Sequence, residues 1–189
     1  MAIAAELLDR YEARVVLSGR TVLPPPEDWA QGQQPEGSRE QQLIAQLWQL
    51  GQRKGEVRYQ TAAVDDLQAM RNTVEKITEE WGRINGVFHA AGLVSGPSIN
   101  LLTALRPVDF EQQLAAKLRG VQVLEETLRD QSLDFCLLTS SLSAVLGGLR
   151  FAAYSTANLA MDYFLRNGKN QGQLHSWLSL NLDGLNFEA

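Results

Sequence analysis

The sequence predicts an α/β domain built on a doubly wound parallel sheet. Short apolar segments alternate along the chain with segments in which apolar residues recur every three or four positions. Strands that alternate with helices imply βαβ crossover units, which form a parallel sheet with helices on both sides. At 189 residues the chain has the size of one domain, so we expect residues 1–189 to form a single domain.

Five short segments, rich in β-branched and other apolar residues, are predicted to be strands buried on both faces. They lie at 14–18, 56–62, 85–91, 133–141 and 176–182. The segment before the first strand, IAAELLDRYE, is predicted to be a helix. Residues 23–39 hold four of the six prolines and show no apolar periodicity, so we expect a surface insertion there.

Between the second and third strands, apolar residues recur at helical spacing and define one face of a helix over 65–82. These residues are Leu67, Met70, Val74, Ile77 and Trp81. Gly82 follows them directly, as expected for a residue that ends a helix.

Composition excludes several classes of function. Lys and Arg total 17 against 22 Asp and Glu, and this net charge of −5 argues against a nucleic-acid partner. One cysteine, Cys136, and two histidines, His89 and His175, argue against a disulfide framework or a metal site. No apolar run approaches the ~20 residues of a membrane span, and the N-terminus lacks a signal-peptide pattern. We therefore expect a cytoplasmic protein with no membrane partner.

One lysine interrupts an apolar stripe in the helical segment 107–130. The stripe consists of Phe110, Leu114, Lys117, Val121, Leu124 and Leu128. Lysine is rarely buried without a partner. Either Lys117 extends its amine to the surface along the helix, or the amine is buried for a function.

A second helical segment, 151–166, carries polar residues on its inward stripe. Tyr154 and Asn158 lie one turn apart on the face that Met161 and Leu165 continue. They are either core residues with satisfied polar groups or members of a site. The strand before this helix ends in Ser140 and Ser141. Ligands bind outside the carboxyl ends of parallel strands, so these serines either cap a turn or face a ligand.

Together these side chains bring a hydroxyl, a phenol, an amide and an ammonium group to one end of the sheet. A lysine near a phenol favours the phenolate and lowers the phenol pKa from ~10. Such a phenol can donate a proton to a developing alkoxide, which suits carbonyl reduction by hydride transfer.

The chain resembles the ketoreductase domains of modular type I polyketide synthases, which belong to the short-chain dehydrogenase/reductase superfamily. The resemblance rests on SGR at 18–20, GVFHAAG at 86–92, AAKLRG at 115–120, LTSSLSAVLGG at 138–148 and AYSTAN at 153–158. It implies a Rossmann-like sheet. The family's glycine-rich phosphate loop and the strand before it are missing here. The sheet should therefore lack its first strand, with a gap between the strands at 14–18 and 85–91.

The resemblance also implies a role for each polar residue of the two stripes. Tyr154 matches the proton donor, and Ser141 matches the serine that binds the substrate carbonyl. Lys117 matches the lysine that holds the nicotinamide ribose and tunes the tyrosine, and Asn158 matches the residue that supports the proton relay. In most of the superfamily the lysine follows the tyrosine by four positions. A lysine from the earlier helix is diagnostic of this branch.

By the same resemblance the cofactor is NADPH. Arg20 matches the arginine that meets the 2′-phosphate, a use that suits a bidentate cation. Ala90, Ala91 and Gly92 match the loop whose backbone passes close to the cofactor, and Gly92 permits that approach. Lys117 and Tyr154 complete the cofactor contacts, and no metal is implied.

The implied function is reduction of a β-ketoacyl thioester to the β-hydroxyacyl form within polyketide biosynthesis. The substrate would be tethered through phosphopantetheine to an acyl carrier protein, with the other domains of the synthase as further partners. A free-standing reductase of small carrier-bound or CoA substrates would share this chemistry. The alternative is a non-catalytic structural subdomain or an inactive fragment of a larger synthase. The four polar residues favour the reductase and the missing glycine-rich loop favours the alternative, and both leave open whether this chain is active alone.

Overall fold

All five predicted strands are confirmed in the computed structural model, which describes residues 1–31, 35, 37–170, 174 and 176–183. The strands are β1 Arg14–Gly19, β2 Glu56–Thr61, β3 Gly86–His89, β4 Phe135–Ser141 and β5 Trp177–Leu182. The α-helices are α1 Ala2–Tyr11, α2 Arg39–Gly51, α3 Leu67–Trp81, α4 Pro107–Leu114, α5 Gly120–Thr127, α6 Ser143–Leu146 and α7 Ala152–Asn170. His175 and positions 32–34 and 36 of the predicted insertion lie outside the described residues.

The strands form two parallel sheets, and the chain divides into two compact units. The first unit, Met1–Ala63, holds β1 paired with β2. The second unit, Val64–Glu188, holds a three-stranded sheet in the order β3-β4-β5. The α/β class is confirmed, and the hydrogen-bonded ladders of the described residues stop where the sequence predicts a missing strand.

In the first unit, α1 and α2 pack on the two-stranded sheet. Its core consists of Ala4, Leu8 and Leu50 with Ala5, Val15, Leu17 and Val57 packed against them. The described part of the insertion contains a 3₁₀ helix, Pro26–Gln31, where Trp29 Nε1 donates to the Pro24 carbonyl at 2.8 Å. Trp29 therefore holds the proline-rich segment onto itself.

In the second unit, α7 packs on β4 and β5. Cys136, Leu138 and Ser140 are buried on one face of β4. On β5, Leu178 and Leu180 are 50% and 43% exposed, and they neighbour Leu137 and Thr139 on the other face of the sheet. The prediction that the strands are buried on both faces is therefore wrong for this face. Apolar composition alone could not reveal that α7 covers only the opposite face.

The predicted helix over 65–82 is confirmed as α3. Asp66 begins it, with Oδ1 accepting from the Ala69 amide at 3.0 Å. Gly82 ends it with a φ of 78°, a left-handed conformation that glycine adopts without strain. Met70 and Val74, from the predicted apolar stripe, are buried.

The segment 107–130 is not one continuous α-helix as the apolar stripe predicts. A π-helical turn, Ala115–Arg119, separates α4 from α5. Before it, the buried side chains are Asp109 and Gln113, while the predicted core residues Phe110 and Leu114 are only half-buried. The wider π turn shifts the inward face of the helix by about one residue. The side chains of Asp109 and Gln113 therefore point inward in place of Phe110 and Leu114. Such turns are frequent at functional sites.

In the described part of the chain, no helix combines the length and the apolar character that a membrane crossing requires.

Candidate active site

The carboxyl ends of β3, β4 and β5 meet at one edge of the three-stranded sheet, where ligands of parallel sheets bind. Hydrogen bonds tie this edge together. The Thr139 hydroxyl donates to the His89 carbonyl at 3.1 Å, and Asn181 Nδ2 donates to the Ser141 carbonyl at 3.3 Å. The ends of the three strands are thereby held in fixed register around Ser141.

Lys117 is the buried cation of this edge. It is 3% exposed, and its ammonium group donates to the Thr139 carbonyl at 2.5 Å. The interpretation that its amine extends to the surface is therefore wrong. Burial lowers the pKa of Lys117 to about 8, and the charge of Asp162 opposes that shift. The π turn and β4 together hold a cation where water does not stabilise it.

The loop after β3 passes directly over this amine. A Cβ atom on Gly92 would lie 3.0 Å from Lys117 Cε and 3.5 Å from Nζ, so only glycine fits there without displacing the lysine. Ala90 and Gly92 are exposed and Ala91 is half-buried. The loop predicted from the HAAG segment thus lies at the sheet edge with Lys117 beneath it.

Tyr154 and Asn158 lie in the first two turns of α7. Tyr154 is half-buried, with its ring centroid 5.8 Å from that of Phe151. Asn158 is fully buried, and its Nδ2 donates to the Tyr154 carbonyl at 2.9 Å. Its Oδ1 has no hydrogen-bond partner among the described residues. A buried acceptor left unpaired costs about 1–3 kcal/mol, so this amide is a candidate to meet a ligand or a water.

Ser141 ends β4 with its side chain half-buried. Its Oγ accepts a hydrogen bond from the Ser143 amide at 3.2 Å. Because the oxygen acts as acceptor in that contact, its O–H remains available to donate to a substrate oxygen. Of the two uses that the sequence leaves open, the structure shows the turn cap, and the role of Ser141 in binding a ligand stays a prediction.

His89, at the end of β3, is buried and neutral at pH 7. Burial and the charge of Lys117 lower its pKa to about 4, while backbone hydrogen bonding to Lys117 and Ala116 opposes the shift. Its Nε2 has no partner in the part of the chain that the structure describes.

We expect His89 to make the fold sensitive to acid. The folded pKa of about 4 lies below the ordinary value of 6.5, so the unfolded chain binds more protons between these values. Stability is then lost as the pH falls from 6.5 towards 4, by about 2–3 kcal/mol. In His89→Leu this loss disappears. Urea unfolding of both proteins from pH 7 to pH 4 measures it, and the carboxylates, common to both, cancel in the difference. Parallel curves for the two proteins would contradict the expectation.

Two polar residues of this region, the buried Gln113 and the half-buried Asp162, escaped the sequence prediction. Asp162 accepts from the Ser140 hydroxyl at 2.8 Å and from the Ser179 hydroxyl at 2.6 Å. Gln113 Nε2 donates to the Leu93 carbonyl and to the Ser98 hydroxyl, both at 2.9 Å, and so anchors the loop after β3. A four-residue spacing was the available signal: Asp162 follows Asn158 by four positions, and Gln113 precedes Lys117 by four.

Arg20 lies in the first unit and directly follows β1, with an exposed side chain. Gly19 before it accommodates Tyr59, because a Cβ atom there would lie 2.8 Å from the tyrosine hydroxyl oxygen. That hydroxyl donates to the Thr21 carbonyl at 2.8 Å. Tyr59 therefore fixes the backbone on both sides of Arg20.

The fold is that of the Rossmann-like short-chain dehydrogenases/reductases. One similar structure is an alcohol dehydrogenase from Thermococcus sibiricus, with a TM-score of 0.71 at 19% identity over 95% of this chain and 69% of the other. The KR domain family matches residues 1–183, and the chain belongs to that family, the ketoreductase domains of polyketide synthases.

A relative and a solved structure agree with this membership. Polyketide synthase PksM of Bacillus subtilis is 33% identical over 172 residues, which cover 88% of this chain and 4% of the relative. An N-terminal ketoreductase from the macrolactin assembly line has a TM-score of 0.74 at 28% identity, over 95% of this chain and 33% of that one. The chain thus spans a small part of the length of the curated relatives that it matches.

Proposed function

We propose that the chain reduces a β-ketoacyl thioester on an acyl carrier protein to the β-hydroxyacyl form, with NADPH as the hydride donor. The observation that carries the proposal is the buried ammonium of Lys117 at the carboxyl end of β4, beneath Gly92. A buried cation is costly to keep, and binding of a polar cofactor gives it a use.

The residues present fit a nicotinamide cofactor. The Lys117 ammonium has three N–H donors and spends one on Thr139, so two remain for ribose hydroxyls. Gly92 leaves the space above the amine free of a side chain. One protein of similar fold, a metagenomic short-chain oxidoreductase, was solved in complex with NADP. Ala90, Ala91 and Gly92 would line the cofactor, with Tyr154 beside the ribose. When bound, the nicotinamide supplies the hydride that attacks the carbonyl carbon.

The chain's own residues would handle the oxygen of the substrate. The Ser141 O–H donates a hydrogen bond to the carbonyl oxygen and orients it. As the hydride reaches carbon, the Tyr154 phenol gives its proton to the developing alkoxide, so that C=O becomes CH–OH. Asn158, with its unpaired Oδ1, supports the path by which the tyrosine regains a proton.

The surroundings of β4 suit an acyl chain. Val145, Leu146 and Leu149, in α6 and the loop after it, are all well exposed. Exposed apolar side chains that border a polar site commonly contact an apolar ligand or a partner. We propose that this segment contacts the acyl chain on the phosphopantetheine arm. The other domains of a polyketide synthase would be further partners.

The alternative is the non-catalytic structural subdomain that the sequence leaves open. Against it stands the cost of a lysine that is 3% exposed and of a buried amide oxygen without a partner among the described residues. A scaffold would gain stability by replacing both groups with apolar ones.

Calorimetric titration with NADPH and with NADH tests the proposal. We expect NADPH to bind more tightly, because the resemblance of the SGR motif assigns the 2′-phosphate to Arg20. Arg20→Ala should weaken NADPH binding by about 10–100-fold, since a charge-assisted hydrogen bond contributes about 1.5–3 kcal/mol, and should leave NADH binding unchanged. Arg166→Ala, an exposed arginine on α7, is the matched control and should change neither affinity. A chain that binds neither cofactor would contradict the proposal and favour the structural subdomain.

A further inference from the structure

The carboxylate of Asp162 is fixed by two neighbouring strands. Ser140 on β4 donates to Oδ2 at 2.8 Å, and Ser179 on β5 donates to Oδ1 at 2.6 Å. Hydrogen bonds to an ionised acceptor are short and strong, so these contacts stabilise the carboxylate and hold it in one orientation. Asp162 lies two turns after Tyr154 on α7, so the same contacts tie that helix to the end of the sheet.

Asp162 is also the charged group that acts on Lys117. The Lys117 amine donates to the Thr139 carbonyl, and Asp162 accepts from the hydroxyl of the next residue, Ser140, so the two charged groups bind adjacent residues of β4. The charge of Asp162 opposes the effect of burial on the lysine. The π turn that carries Lys117 packs against α4, α5 and α7, and Lys117 reaches β4. The other titratable groups on these elements and on β3 are bound to another partner, neutral at pH 7, or at least partly exposed. They are Asp109, bound to Arg106; Glu125, bound to Arg129; Glu126, bound to Arg71; His89, neutral at pH 7; and Cys136, with a pKa of about 12. The exposed Glu111, Arg119, Tyr163 and Arg166 and the half-buried Tyr154 and Lys169 complete the set.

We propose that Asp162 is a positioning residue: it serves as the fixed counter-charge of Lys117 and locks α7 onto the ends of β4 and β5. The catalytic meaning of this inference rests on the proposed function, because a protonated Lys117 is what would hold the ribose. The electrostatic coupling itself does not depend on that function.

The direction of the coupling follows from its physics. A buried lysine loses its proton more readily than a solvated one, and a nearby negative charge restores part of its affinity for the proton. Removing the Asp162 charge should therefore lower the pH at which Lys117 titrates. The Ser140 and Ser179 hydroxyls carry no charge, so deleting either should not lower it.

Carbon NMR of lysine labelled at Cε measures this titration directly on the chain, without cofactor or substrate. The chain has few lysines, namely Lys54, Lys76, Lys117 and Lys169, and Lys117→Met assigns the signal. We expect Lys117 to titrate near pH 8. In Asp162→Asn the midpoint should fall by about 1 pH unit or more, while the other three lysines stay unchanged. An unchanged Lys117 midpoint in a folded Asp162→Asn protein would overturn the proposal.

Ser179→Ala is the matched control, since it removes one hydrogen bond and keeps the carboxylate. Its Lys117 midpoint should stay at or above that of the wild type. The reason is that the Asp162 carboxylate keeps its charge and has one hydrogen-bond donor fewer to offset that charge. A thermal melt by circular dichroism checks each variant for folding. If Asp162→Asn does not fold, Asp162→Ser, which also removes the charge, takes its place, and an unchanged Lys117 midpoint in that variant would contradict the proposal.

The NMR result separates this inference from the proposed function. Suppose that the Lys117 midpoint falls in Asp162→Asn but the wild-type chain does not reduce a β-ketoacyl thioester. The role of Asp162 as counter-charge would then stand, and the proposed reductase function would be wrong. If the chain reduces the thioester but its Lys117 midpoint is the same with and without the Asp162 charge, the reductase function would stand and the counter-charge proposal would be wrong.

Discussion

Tyr154→Phe should lower the rate of β-ketoacyl reduction by about 10²–10⁴-fold, the usual contribution of a positioned general acid. The substitution removes the hydroxyl that supplies the proton and keeps the ring beside Phe151. The fold and NADPH binding should therefore remain. Turnover with NADPH and a β-ketoacyl thioester gives the rate, and calorimetry and a thermal melt give the other two.

Tyr163→Phe is the matched control for this experiment. Tyr163 lies on the same helix, α7, and is 69% exposed, so its hydroxyl faces solvent. Its variant should keep the wild-type rate. Tyr154→Phe with an undiminished kcat would rule out the phenol as the proton donor.

Lys117→Met should have the second-largest effect, because it should remove cofactor binding and also stabilise the fold. It should abolish cofactor binding and at the same time raise the free energy of unfolding at pH 7 by about 1–3 kcal/mol. The gain arises because methionine fills a similar space without a buried charge. Urea unfolding at pH 7 measures the stability, with Lys76→Met, an exposed lysine on α3, as the control that should change little.

The pH dependence of that gain follows from linkage. Burial depresses the folded pKa of Lys117 to about 8, against 10.5 for an ordinary lysine. Between these values the unfolded chain binds more protons, so wild-type stability rises with pH in this window. The advantage of Lys117→Met should be full below pH 8 and should shrink as the pH approaches 10.5. A destabilised Lys117→Met protein at pH 7 would show instead that the ammonium contributes to the fold.

Much of the fold was predictable because local patterns determine it. Apolar β-branched runs predicted each strand, and the apolar period that ends at Gly82 predicted α3. The position of Lys117 in the middle of an inward stripe also predicted an unusual group. Each of these signals depends only on residues that are near one another in the sequence.

The remainder depends on tertiary contacts that a periodicity cannot contain. The stripe analysis assumes an ideal α-helix, so it assigned Phe110 and Leu114 to the core where the π turn buries Asp109 and Gln113 instead. Asp162 was missed because its importance comes from the register of β4 and β5, which brings Ser140 and Ser179 to one carboxylate. The exposed face of β5 was missed because composition does not show which face a helix covers.

We propose that a carrier-bound β-ketoacyl thioester is reduced at the site of Lys117, Ser141 and Tyr154, with NADPH as the donor of the hydride to the carbonyl carbon. The most direct measurement supplies the chain with NADPH deuterated at the transferring position and analyses the acyl product by mass spectrometry. We predict a β-hydroxyacyl product that carries one deuterium on its β-carbon. Unreduced β-ketoacyl thioester, recovered from a folded chain that calorimetry shows to be saturated with NADPH, would contradict the account.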